Sequence, residues 1–393
     1  MDADALASAL RDVVARHEPL RTVVVERDGQ AYQQLVDGPE LEVLDVTGDL
    51  DERVAELARE APDLREQSPL RARLLVAPDG GQRLLLTMHY LGIDEWSTVP
   101  LFRDLAAAYA ARREGAVPDR APLPVSYADY TRWAWEVLGD PADPGSRHAR
   151  QLRYWREALA GMPELPLPVD RPRAGSRGGR GDFVEFVIDA EEHEEIDRLA
   201  QRSGASMFMV LHAALAALLT RLGAGEDLPI GTFTAGRSED SLTDLVGCFF
   251  NTVVLRTDTT GDPTFAELLG RVRETALSAL DRQELPFDDV LREVPSARAP
   301  QVLLVHHEQA NLTALDEGGL SAVPTGTTPA ELALSFYEPR GGGPVHCVLG
   351  YDADLFDAET ARWLADGVLG AVRAAVRGPG RTISEIDPPR RTW

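Results

Sequence analysis

Between Met162 and Asp182 the chain reads MPELPLPVDRPRAGSRGGRGD, a stretch crowded with proline, glycine and arginine and lacking any apolar period. It cannot serve as a core strand or a helix interior, because proline removes backbone donors and glycine carries a large entropy cost. On both sides of it, strand-like and helix-like segments alternate. A chain of 393 residues is long for one compact core. The prediction is therefore two α/β sandwich lobes: a first lobe over 1–165, a linker over 166–182 and a second lobe over 183–393.

The elements follow from period and punctuation. Leu6, Leu10, Val13 and Val14 make one face of an opening helix from Ala3. RTVVVERDGQAYQQLV reads as a hairpin turning at Asp28-Gly29, and RARLLVAPDGGQRLLLTMHY as a second hairpin turning between Pro78 and Gly81. The second hairpin delivers His89 and Tyr90 to a strand end, just before a helix that Ser97 or Thr98 is expected to cap. In the second half, SMFMVLHAALAALLTRLG is too apolar for a surface helix and too short to span a membrane. Strands are expected at FVEFVID, DLPIGTFTAGR, GCFFNTVVLRTD, QVLLVHHEQ, ELALSFYEP and VHCVLGYDADL.

Composition narrows the partners. A net charge of −24 repels phosphate backbones, so nucleic acid and anionic membranes are disfavoured. The chain has no lysine, and its positive charge is arginine throughout. Two cysteines far apart, Cys248 and Cys347, fit a reducing compartment and form no metal-ligand spacing. A soluble, cytoplasmic protein is expected.

The chemistry concentrates in MHYLGIDEWS, residues 88–97. A histidine at a strand end is a candidate general base, and Asp94 in the turn is suited to pair with an arginine and fix the loop. His89 and Tyr90 are neighbours, so only one of them faces a given side. His306, His307 and Glu308 form a second cluster, but neighbouring strand residues diverge and no third ligand converges with them, so no metal site is expected. His193, in HEE, is expected on a solvated acidic helix face, and His212 in the core. GGRGD lacks the strand-to-helix context of a phosphate loop, and no G-x-S-x-G occurs.

Seven stretches in order resemble the condensation domains of nonribosomal peptide synthetases, of the chloramphenicol-acetyltransferase-like superfamily. They are RHEPLRT, HYLGIDEWS, SYADYTRW with YWREALAGMPELPLPVDRPR, GEDLPIGTFTAGR, VGCFFNTVVLRTD, RQELPFDDVL and YDADLFDAET. The resemblance implies an α/β fold of two such sandwich lobes in a V with a central tunnel. Carrier-protein-bound thioesters, held on phosphopantetheine arms, enter that tunnel, and no cofactor is bound by the domain itself. It implies catalytic-motif positions at His89, Tyr90 and Asp94, and tunnel positions at Glu95, Trp96, Ser97, Asn251, His307 and Glu308. The family also carries a strand and helix ahead of the point matching Met1, so these are expected to be missing from the first lobe or to lie outside this sequence.

Two departures from the motif HHxxxDGxS matter. Its second histidine, the usual catalytic group, aligns with Tyr90, and its glycine aligns with Glu95. A phenol is roughly 0.1% ionised at pH 7 and starts about 4 kcal/mol behind imidazole as a base. The oxygenase-recruiting branch of glycopeptide-antibiotic synthetases has a motif resembling HRxxxDD, altered at the same two positions. The expected role is therefore a docking platform for a peptidyl carrier protein and a haem monooxygenase. The alternative is an active amide- or ester-forming transferase, with Glu308 as a candidate substitute base.

Overall fold

The computed structural model describes residues 1–173, 179–308, 319–339 and 341–388, except for the Glu308 side chain. Two compact units emerge. The first comprises Met1–Val137, Ala235–Phe250 and the described part of Asn311–Thr325. The second comprises the described parts of Leu138–Thr234, Asn251–Ala310 and Gly326–Trp393. The proline-rich stretch expected as a linker belongs, where described, to the second unit. There Leu165 N donates to Gln301 Oε1 and Asp170 N to the carbonyl of Leu355.

In the first unit, α1 (Ala3–Arg16) starts at Asp2, whose side chain accepts from Ala5 N, and buries Leu6, Leu10, Val13 and Val14. The hairpin β1 (Thr22–Arg27) and β2 (Gln30–Leu35) turns on Asp28 and Gly29, at φ 53° and 75°. This is the two-residue turn whose twist suits a hairpin. A three-stranded sheet follows, β3 (Leu41–Asp45), β4 (Leu70–Val76) and β5 (Gln82–Met88), with β3 parallel and β5 antiparallel to β4. The period of two splits its apolar residues between faces. Leu74 packs with α1 and α3 (Thr98–Arg113), while Leu75 and Leu85 pack with α2 (Leu50–Ala58). The helix α4 (Tyr127–Leu138) closes this part of the chain.

The second unit holds a six-stranded sheet in the order β6-β11-β10-β9-β7-β8. Its strands are β6 (Gly181–Ile188), β7 (Asp227–Thr234), β8 (Asn251–Asp258), β9 (Val302–Glu308), β10 (Leu332–Glu338) and β11 (Val345–Asp352). Its helices are α5 (Arg147–Ala158), α6 (Ala190–Ser203), α7 (Met207–Arg221), α8 (Phe265–Leu280), α9 (Phe287–Glu293) and α10 (Ala358–Arg377). The apolar α7 lies in the core and buries nearly every residue from Met207 to Leu219, with His212 among them. His212 Nε2 lies 2.8 Å from Thr257 Oγ1, and burial lowers its pKa to about 3. Among the described residues, no single helix is long and apolar enough to cross a membrane.

One expectation is corrected here. His193 is 2% exposed rather than solvated, because it continues the buried stripe of Ile196, Leu199 and Ala200 on α6. Its Nδ1 lies 2.8 Å from the Gly343 carbonyl.

Candidate functional site

The loop after β5 is organised from beneath by Asp94. This residue is 2% exposed and caps the short turn Glu95–Ser97 that opens into α3. Ser97, expected as a helix cap, instead sits in helical backbone with its side chain turned inward. Asp94 Oδ1 accepts from Ser97 N (2.9 Å), Ser97 Oγ (2.7 Å) and Arg237 Nη2 (2.9 Å), and Oδ2 accepts from Phe249 N (3.1 Å). Gly247 N and Arg237 Nη2 both donate to Ser97 Oγ. The Arg237 guanidinium lies 4.0 Å from the Phe249 ring centre and also donates to the carbonyls of Leu242 and Leu245.

Three stretches distant in sequence thus meet on one carboxylate: HYLGIDEWS, TAGR and GCFFN. A fourth, SYADY, supplies Tyr127, whose hydroxyl donates to the Cys248 carbonyl and whose ring packs edge-on at 5.1 Å from Phe249. The backbone comes so close here that a Cβ on Gly247 would stand 2.5 Å from the Tyr127 ring. Asp94 is a positioning residue, because its hydrogen-bonding capacity is taken up inside the first unit. The arginine expected for it is Arg237.

His89 and Tyr90 lie on the outer side of this loop, both exposed. Leu91 N donates to His89 Nδ1 at 3.0 Å, which puts the ring proton on Nε2. In this tautomer Nε2 carries the N–H and is available as a donor. The Tyr90 ring, 68% exposed, meets Phe250 edge-on at 5.7 Å. Its phenol pKa is raised above the ordinary value by desolvation on the side packed against Phe250 and then by the Glu95 carboxylate, a shift that solvent on the exposed side screens. That is the wrong direction for a base. Glu95 and Trp96 are half-buried on the same turn, and the Glu95 carbonyl accepts from Thr98 Oγ1.

The remaining predicted positions belong to the second unit. Asn251 Nδ2 donates to the carbonyls of Gln283 and Leu285, and Oδ1 accepts from Thr252 N and Phe287 N. Both ends of its amide therefore hold β8 to the chain entering α9. His306 and His307 diverge as neighbouring strand residues must. His306 Nε2 lies 3.0 Å from Glu338 Oε2, whereas His307 Nε2 lies 3.2 Å from Ser335 Oγ and its ring stacks on Tyr337. The Glu308 side chain, the candidate substitute base, lies outside the described residues.

Sequence reading did not single out Arg237, Gly247 or Tyr127. Each stands in one of the seven stretches, and the density of motif residues around 235–250 was the available signal.

Comparison with known proteins agrees with this arrangement. The family model of the condensation domain matches residues 1–391. The dimodular nonribosomal peptide synthase of Bacillus subtilis is 43% identical over 406 residues, which cover 98% of this chain and 17% of that synthase. The chain spans only 5% and 17% of the first two relatives it matches. Among solved structures, the X-domain from teicoplanin biosynthesis matches with a TM-score of 0.88 at 35% identity, over 98% of this chain and 90% of that one. The X-domain in its complex with OxyB matches with a TM-score of 0.89 at 32% identity, over 100% and 89%. An epimerization domain of tyrocidine synthetase B, at 17% identity and a TM-score of 0.75, shares the fold alone. The chain belongs to the condensation domain family of nonribosomal peptide biosynthesis, with its chloramphenicol-acetyltransferase-like α/β fold.

Proposed function

We propose that this domain does not form peptide bonds and serves as a docking platform, binding a carrier protein with its phosphopantetheine-borne peptide and recruiting a haem monooxygenase to it. The observation that carries the reading is the pair Tyr90 and Glu95 on an otherwise intact loop. The phenol replaces the family's second histidine, and its pKa is displaced upward by desolvation and by Glu95. Asp94 and Ser97 keep the loop built, so its scaffold persists where its base is gone. The similarity to the X-domain solved with OxyB supports an oxygenase as partner.

A second reading, an amide- or ester-forming transferase, draws on one feature. His89 Nε2–H and the Tyr90 hydroxyl are both donors able to orient a nucleophile, and an amine needs positioning more than a base.

The test compares the native chain with a Tyr90→His, Glu95→Gly double variant, using loaded donor and acceptor carrier proteins and intact-protein mass spectrometry. No product from the native chain, together with its co-elution with a glycopeptide-pathway monooxygenase, is the expected result. Product from the native chain overturns the docking reading.

A further inference from the structure

His193, Asp197 and Glu338 bring one nitrogen and two carboxylate oxygens within 4.8 Å of one another in the second unit. His193 and Asp197 stand one turn apart on α6, with Nε2 and Oδ2 separated by 3.7 Å, and Glu338 ends β10. The decisive detail is the histidine. Its Nδ1 is 2.8 Å from the Gly343 carbonyl, an oxygen that can only accept, so Nδ1 carries the proton. Nε2 is buried, has no hydrogen-bond partner among the described residues, and stands 3.7 Å from Asp197 Oδ2. In the neutral imidazole that nitrogen presents a lone pair among acceptors, an arrangement that a cation bound between them relieves. Fixing the tautomer through a hydrogen bond on the other ring nitrogen is how metal-binding histidines are prepared.

From this geometry we infer that His193, Asp197 and Glu338 bind a divalent transition-metal ion, of which zinc fits best. One imidazole and two carboxylates suit zinc, with a water as fourth ligand. Ligand atoms around a tetrahedral zinc stand about 3.3–3.6 Å apart, by bond lengths of about 2.0–2.2 Å. The His193–Asp197 separation is close to that, and the two carboxylates are exposed enough to adjust. His306 is the outer-shell partner, its Nε2 3.0 Å from Glu338 Oε2. Asp189 at the N-cap of α6 and Glu191 and Glu192 in its first turn offset the positive helix end near the ion. The ion clamps α6 to the end of β10.

The experiment uses the whole chain, stripped with chelator, and follows Co²⁺ binding by its visible spectrum and Zn²⁺ by competition. One equivalent of Co²⁺ with four-coordinate bands is expected. An Asp197→Asn, Glu338→Gln double variant, folded by circular dichroism, should bind more than about 100-fold more weakly, beyond what outer-shell changes produce. His306→Ala should weaken binding by about 10–100-fold. His193→Gln risks the fold, so the carboxylate variant decides. Absence of stoichiometric binding, or equal affinity in the double variant, overturns the assignment.

Discussion

Asp94 shows how one buried carboxylate turns three distant stretches into a loop. Its side chain is closed off from solvent and its Arg237 partner nearly so. Breaking such a pair by removing one partner leaves an uncompensated buried charge, at a cost of about 3–5 kcal/mol. Arg237→Met should therefore lower unfolding stability by that much in urea titration, whereas Tyr90→His on the exposed side should stay within about 0.5 kcal/mol. His212 gives a pH dependence. Burial holds its folded pKa at about 3, below the unfolded value of about 6.5. Between those values the unfolded chain binds the extra proton, so stability is full above about pH 6.5 and falls as pH drops toward 3. The slope from this group is about 1.4 kcal/mol per pH unit, and His212→Gln should remove it from the stability–pH curve. At this scale the sequence foretold an arginine for Asp94 and a core site for His212. It misplaced His193, because the charged residues beside it in HEE concealed the buried stripe it continues.

Among elements, glycines mark where backbones meet. Gly236 lies at φ 64°, and a Cβ there would fall 1.9 Å from the Phe249 carbonyl oxygen. Gly236→Ala should therefore expose the loop to proteolysis and lower Tm, since the atoms it would strike first are those of the Phe249 backbone carbonyl. Gly270, on the exposed face of α8 with open space around it, behaves oppositely. Gly270→Ala should raise stability by up to about 1 kcal/mol through helix propensity, read as a higher urea midpoint. At the head of α6 a capping box joins Asp189 and Glu192. Asp189→Ala should cost about 1 kcal/mol in the same measurement. Helix positions and the Asp28-Gly29 turn were legible in advance because they depend on local period and turn chemistry. The start of β8 was not: the sequence suggested a strand from Gly247, but it begins at Asn251. Residues 247–250 serve Asp94, Ser97 and Tyr127 instead of a ladder.

For the whole molecule, the first unit depends on residues far along the chain. Ala235–Phe250 supplies Arg237, Gly247 and Phe249 to the loop that carries the motif. A fragment ending at residue 165 would leave the Asp94 carboxylate and the Ser97 hydroxyl without those partners. Such a fragment should lack the cooperative thermal transition of the full chain in circular dichroism, even with its own helices and hairpins encoded. A cooperative transition in the fragment would instead favour the division at 1–165.

The sequence by itself determined what is local or cumulative. It specified the alternation of strands and helices, the buried character of α7, the acidic surface, and family membership through seven ordered stretches. It also exposed the loss of the motif's second histidine at Tyr90, because aligned identity needs no coordinates. Tertiary structure alone decided which groups are consumed and which are presented. Asp94, Ser97 and Asn251 have hydrogen bonds taken up by partners elsewhere in the chain, and Tyr90 stands exposed with its pKa pushed up. It also brought His193 and Asp197 to Glu338 across more than a hundred residues. The physical reason is the same in each case: hydrogen bonding, desolvation and charge proximity act through space over a few ångströms, and spacing along the chain does not encode that distance.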